Sequence, residues 1–146
     1  MTEDARLASL FARLVRVQVE LFDRVDARLK NETGMMLIAL LPMRVVAGRP
    51  GCRVQDLADG LGISVGGASK SADRLVASGW VRRAGNPGDR RSSVLELTAE
   101  GERVLALGEK IVADEMRSRV LAPLGSAGLE AFAAALDRLD PTADAG

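Results

Sequence analysis

The stretch Arg53–Trp80, RVQDLADGLGISVGGASKSADRLVASGW, decides the fold. From Arg53 to Leu61 the apolar residues Val54, Leu57, Ala58 and Leu61 recur at three- and four-residue steps, which puts them on one face of a short helix. Gly60 and Gly62 mark its end, since glycine closes a helix without a Cβ penalty. Ser64 is a good N-cap residue, its hydroxyl able to accept from the free N–H groups of a first turn. The helix it opens spans about Val65 to Ala77, with Ala68, Ala72, Leu75 and Val76 inward, and Gly79 ends it. Two short helices joined by a tight glycine-containing turn are the pattern of a helix-turn-helix.

After Gly79 the period changes. Trp80-Val81-Arg82-Arg83 and Ser93-Val94-Leu95-Glu96-Leu97 alternate like strands around Ala84-Gly85-Asn86-Pro87-Gly88-Asp89, a run dense in turn formers. This predicts a β-hairpin with a long basic tip. Thr98 caps a helix over about Ala99 to Leu121. Pro123 and Gly125 interrupt, and Ser126 opens a last helix to about Leu139, leaving Pro141 to Gly146 as a frayed tail. Upstream, residues 5–29 read as a long amphipathic helix whose apolar stripe (Leu7, Phe11, Leu14, Leu21, Phe22, Val25, Leu29) is widened by Leu10, Val15, Val17 and Val19 beyond what one neighbouring helix needs. Asn31-Glu32-Thr33-Gly34 reads as a turn. A shorter helix covers about Ile38 to Ala47, and Pro42 is tolerated there only in the first turn, since deeper inside it kinks the helix. For the apolar run Leu37–Pro42 a contribution to the dimer core is the favoured reading over a pocket lining, and Met35, Met36 and Met43 read as adaptable core packing more than as a ligand site.

The chain has 146 residues, 47% of them apolar, the size and composition of a single globular domain, 1–146. It has no His and no Tyr, and Cys52 is its only Cys, which excludes a His-based triad, a His or Cys-rich metal site and an intrachain disulfide. Neither a metal nor another cofactor is expected. The acidic start Met1-Thr2-Glu3-Asp4 shows no signal peptide, and the apolar run Met35–Met43 falls short of the ~20 residues that span a bilayer. A soluble cytoplasmic protein with no membrane partner is the expectation. Twenty basic and twenty acidic residues cancel, but unevenly: residues 44–93 carry nine basic and four acidic side chains, and residues 94–146 five and ten. A basic middle fits either a polyanion partner or an ordinary solvated surface.

The ordered pieces Val54-Gln55-Asp56-Leu57-Ala58, Leu61-Gly62-Ile63-Ser64, Asp73-Arg74-Leu75, Gly79-Trp80-Val81-Arg82-Arg83 and Asp89-Arg90-Arg91-Ser92-Ser93-Val94-Leu95-Glu96-Leu97-Thr98 resemble the winged helix-turn-helix of the MarR family of bacterial transcriptional regulators. The resemblance implies a mainly α fold: a three-helix DNA-binding lobe with its β-hairpin wing over 38–98, and an α-helical dimerisation region from 1–30 and 99–140. It implies a homodimer acting as a repressor on a pseudo-palindromic operator in double-stranded DNA, commonly relieved by a small-molecule effector such as a phenolic or aromatic acid, or by cysteine oxidation. Two features depart from the family pattern: Ser71-Ala72, where larger apolar residues are expected, and the apolar Leu37–Pro42.

The recognition helix would present Ser64, Val65, Gly66, Gly67, Ser69 and Lys70 to the major groove, Ser69 and Lys70 to base edges or phosphates, Val65 and Ala68 to thymine methyls, and the glycines for close backbone approach. Arg74 serves either a phosphate or a nearby carboxylate, while Asp73, acidic in a basic setting, is structural. At the wing, Arg91 would enter a narrow minor groove, held by Asp89, with Arg82, Arg83 and Arg90 on phosphates and Ser92 beside them. Arg16, Met43 and Arg44 are candidates for an effector site between the dimer helices and the DNA-binding lobe. Two other readings stand beside this one: a winged-helix module that binds protein, and a thiol-based redox sensor or peroxidase using Cys52, whose pKa the flanking Arg49 and Arg53 could lower, against the favoured inert thiol. A phosphate-loop reading of Gly62–Ser71 is rejected, because Ala68-Ser69 separate glycine from Lys70 and a helix, not a strand, precedes.

Overall fold

In the computed structural model, residues 1–85 and 93–140 are described. Six α-helices and one hairpin follow in order: α1 (Glu3–Thr33), α2 (Leu37–Gly48), α3 (Val54–Leu61), α4 (Val65–Ala77), β1 (Val81–Ala84), β2 (Val94–Leu97), α5 (Ala99–Met116), a five-residue π-helical turn (Arg117–Leu121) and α6 (Ala122–Leu139). The two strands are antiparallel, with Val81 opposite Leu97 and Arg83 opposite Leu95. This is the expected mainly α architecture with a helix-turn-helix and a wing.

The core sits where the last turns of α1, the helices α2 to α4, the hairpin and α5 meet. Leu29, Met35, Leu40, Met43, Leu57, Leu75, Leu95 and Cys52 are its largest fully buried side chains. Ala68 and Ala72 are also wholly buried, so the small residues at 71–72 seat α4 close to its neighbours. Val76, expected inward, is exposed, as are Met36, Ile38 and Leu41 in and before α2. Residues 3–20 of α1 are exposed throughout and lie outside the core, which the helix first meets at Phe22.

Several boundaries differ from the sequence reading for local reasons. α1 continues through Asn31-Glu32-Thr33, where the Thr33 hydroxyl donates to the Leu29 carbonyl and accepts from Met35 N–H, and Gly34 (φ 75) closes it. Pro42 lies in the second turn of α2, beyond the first turn where it was expected, and the helix continues past it. The end of α5 winds into the π-helical turn, and α6 is broken at Gly125 (φ 72, ψ 173) behind Pro123. The sequence carries no recognisable sign of the π turn. By length and composition Ala99–Leu139 also contains a stretch apolar enough to cross a membrane, which the run Met35–Met43 did not foreshadow. Only 6% of that stretch is buried within the chain.

Three joints position the helix-turn-helix. Asp26 of α1 accepts from Leu37 N–H at 2.9 Å through Oδ1, supplying the side-chain cap that Met36 cannot. Thr98 caps α5 through Gly101 N–H (3.0 Å) and donates its own hydroxyl to the Gly79 carbonyl (2.7 Å). Gly108 lets α5 lie against α1 and α2, since a Cβ there would stand 2.7 Å from Leu40 and Met35.

The Leu37 N–H, and secondarily Lys30 at 3.0 Å, hold the Asp26 carboxyl below the usual carboxylate range. A depressed folded-state pKa stabilises above the unfolded value and ceases to do so as pH falls through the folded one. Asp26→Ala should therefore lower stability by about 1 kcal/mol at pH 7, the size of a lost N-cap. The gap between variant and parent should narrow as both are acidified below the ordinary carboxylate range, as followed by urea unfolding across a pH series.

Candidate nucleic-acid interface

The turn Leu61–Ser64 sets the direction of α4. Gly62 takes the left-handed conformation (φ 65). Ser64 Oγ accepts from Gly67 N–H at 3.1 Å. With Ala68, Ala72 and Leu75 facing the core, helical geometry turns positions 65, 66, 69, 70, 73 and 74 outward. Val65, Gly66, Lys70, Asp73 and Arg74 are exposed, and Ser69 and Gly67 half-buried. The structure thus brings Ser64, Val65, Gly66, Gly67, Ser69 and Lys70 together at one solvent-facing helix end. Ala68, offered above for a thymine methyl, is fully buried and unavailable. An exposed apolar side chain that the sequence reading did not single out is Ile63, 44% exposed just before the cap. Its position between Gly62 and Ser64, outside either helix, was the available signal.

The basic middle is less free than its formal charge. Arg83 Nη2 meets Asp73 Oδ1 at 2.6 Å, and Arg82 meets its cross-strand partner Glu96 at 2.7 Å. Arg44 pairs with Glu109 at 3.1 Å and Arg49 with Asp56 at 3.9 Å. Among the described residues Arg53, Lys70 and Arg74 carry no ion pair. Lys70 is therefore an uncompensated cation at the centre of the α4 surface. Arg74, one turn further, borders a hollow with Met36, Ile38 and Trp80. Asp73 takes the structural part expected of it, tying the base of the hairpin to α4. Asp89, Arg90, Arg91 and Ser92 lie outside the described residues.

On the opposite side of α2, an apolar cleft of about 580 Å³ opens between α1, α2, α5 and α6, walled by residues such as Leu21, Phe22, Leu40, Val112 and Phe132. Arg44 and Glu109 stand among its few polar groups. Of the three candidate effector residues, Arg44 alone lines it: Met43 is fully buried in the core, and Arg16 is exposed on α1 beside Glu20 (3.8 Å).

Cys52 is buried, its thiol directed to the Arg53 carbonyl and its own carbonyl accepting from Leu95 N–H. Burial pushes the thiol pKa up, and Asp56 adds to this, against the lowering influence of Arg49. The flanking arginines do not produce the reactive thiolate that the redox and peroxidase readings require. Cys52 should react with a thiol-specific disulfide reagent only in denaturant. Stoichiometric labelling of the native protein within seconds would contradict this placement.

A profile described as MarR family matches residues 37–92. The HTH-type transcriptional regulator BilQ of Clostridium symbiosum is 26% identical over 115 residues, 79% of each protein. Among solved structures, Sco3205 of Streptomyces coelicolor, a MarR family transcriptional regulator in complex with DNA, superposes with a TM-score of 0.80 at 25% identity over 95% of this chain and 87% of that one. The repressor CouR of Rhodococcus jostii, bound to a 23-mer DNA duplex, gives 0.79 at 25% identity over 95% and 98%.

Proposed function

We propose that this chain, whose residues 37–92 match the MarR family profile, is a DNA-binding transcriptional regulator of that family and acts as a homodimeric repressor on a pseudo-palindromic operator, relieved by a small-molecule effector. The observation that carries the reading is the capped, solvent-facing end of α4 with Lys70 unpaired at its centre. Inserted in the major groove, it offers Ser64, Val65, Gly66, Gly67, Ser69 and Lys70 to bases and nearby phosphates, with Arg74 on the backbone. The wing adds Arg82, Arg83, Asp89, Arg90, Arg91 and Ser92, with Arg91 the minor-groove contact and Asp89 its holder. Arg82 and Arg83 would have to share themselves with Glu96 and Asp73, so they contribute less than Lys70.

The dimer reading rests on exposed apolar surface. Leu7, Leu10, Phe11 and Leu14 on α1, and Phe132, Leu136 and Leu139 on α6, are all uncovered in the single chain. A second copy using 1–30 and 99–140 would cover them, which also accounts for the apolar stretch in Ala99–Leu139 without a membrane. Such contiguous apolar surface marks an interaction site. Paired subunits then place two α4 helices on half-sites about 10 bp apart. The cleft beside Arg44 suits an effector with an apolar body, of which phenolic and aromatic acids are the first class to try by thermal shift. A regulator acting on chromosomal DNA would work in the cytoplasm.

Mobility-shift titration of the full-length protein against its own upstream DNA tests the reading. Affinity should fall linearly on a log–log plot as salt rises, because phosphate contacts release counterions. Arg91→Ala should weaken binding by roughly 1–3 kcal/mol. Absent or salt-insensitive binding would favour a protein partner for this face.

A further inference from the structure

α4 carries two adjacent glycines in its first turn, and the fold explains only one of them. A Cβ at Gly67 would stand 3.3 Å from Ser64 Oγ, the atom that accepts the Gly67 N–H, and 3.6 Å from Ile63 Cδ1. A side chain there would press on the cap. Gly66 has no such reason. Its φ is not positive, and the nearest atom to a Cβ there is Ser64 Oγ at 4.0 Å, in otherwise open space. Glycine in a helix is less stable than alanine. A glycine that weakens the free protein, and that nothing in the described chain requires, is accounted for by an outside body meeting the backbone at that point.

The side chains on either side say what kind of body. Ile63 is 44% and Val65 48% exposed, flanking Gly66 with branched apolar groups. Neither belongs to the apolar surfaces of α1 and α6. On a duplex the one apolar group displayed on a base edge in the major groove is the 5-methyl of thymine.

Resting on the DNA-binding reading, we propose that Gly66 is a specificity-determining position: its missing side chain brings the duplex against the first turn of α4, where Ile63 and Val65 read thymine methyl groups. Ser69 and Lys70, further along the same face, supply the polar contacts that hold this register. Recognition at this end of the helix is therefore by shape and methyl contact, and a side chain at 66 would lift both apolar residues off the bases.

The test uses the full-length protein and a duplex selected by it from a randomised library. Each thymine of a half-site is replaced in turn by deoxyuridine, which removes the 5-methyl and leaves pairing intact. At least one replacement per half-site should weaken binding about fivefold or more, the scale of a lost base contact. Val65→Ala or Ile63→Ala should abolish that sensitivity. Gly66→Ala should raise the midpoint of thermal unfolding yet weaken binding roughly tenfold or more, opposite signs that a purely structural glycine does not give. The proposal is overturned if a site is selected but every deoxyuridine duplex binds like its thymine parent, or if Gly66→Ala binds undiminished. Failure to select any duplex would instead remove the DNA-binding reading, and this inference with it.

Discussion

The carbonyl of Trp80 stands where a side chain on Gly101 would have to be. That close approach is the joint on which the molecule turns. Trp80 O accepts from Thr98 N–H (3.0 Å), and the Thr98 hydroxyl reaches back to the Gly79 carbonyl while capping α5. One threonine thus fastens the end of the α4 turn, the base of the hairpin and the start of α5. The arrangement tolerates no Cβ at 101, because overpacking here meets backbone and not a yielding side chain. Since α5 leads to the surface proposed for the dimer and α4 to the surface proposed for DNA, the distance between two α4 helices in such a pair would be set through this joint.

A second tie, between Asp73 and Arg83, serves orientation more than stability. The Asp73 side chain is largely exposed, and such pairs contribute little to folding free energy. What the 2.6 Å contact does is tie β1 to α4 and so hold the described strands of the hairpin against that helix. Counting charges in the sequence overstates the polyanion-binding surface, since it cannot show that carboxylates of the same chain already face four of the arginines. Among the described residues of this basic stretch, the uncompensated cations that remain are Arg53, at the N-cap of α3, and Lys70 and Arg74 on α4.

The helix-turn-helix was legible because its punctuation is chemical: Gly62, Ser64 and Gly79 can each be read as a stop or a cap from residue type alone. The facing of α4 followed from its period, except at its ends, where Val76 falls outside the core and Ile63 belongs to no helix. The end of α1 was hidden because Asn31, Glu32 and Thr33 have modest helix propensity, and only the contacts of the Thr33 hydroxyl and the Gly34 cap show why the helix persists. Pro42 misled in the same way: the rule about proline is local, whereas α2 is held by burial of Leu37, Leu40, Met43 and Val46. The state of Cys52 is a tertiary fact. The flanking arginines left a reactive thiolate open as the less favoured reading, and burial against β2 agrees with the favoured inert thiol.

The cleft at Arg44 touches α1, α2, α5 and α6, and therefore borders both the surface assigned to dimerisation and the lobe that holds α4. A ligand can shift an equilibrium only by the difference in its affinity for the two states. In the proposed regulator the relation of α2 to α5 is where an effector would act, because the Arg44–Glu109 pair crosses between them at 3.1 Å and no other ion pair among the described residues links those two helices. A ligand carboxylate drawn to Arg44 would compete with Glu109 for it and loosen that link, whereas a neutral apolar ligand would leave it closed. Linkage is reciprocal, so DNA that favours the closed relation must weaken the acid by the same factor that the acid weakens DNA. Under that reading the sign of coupling would depend on the charge of the effector.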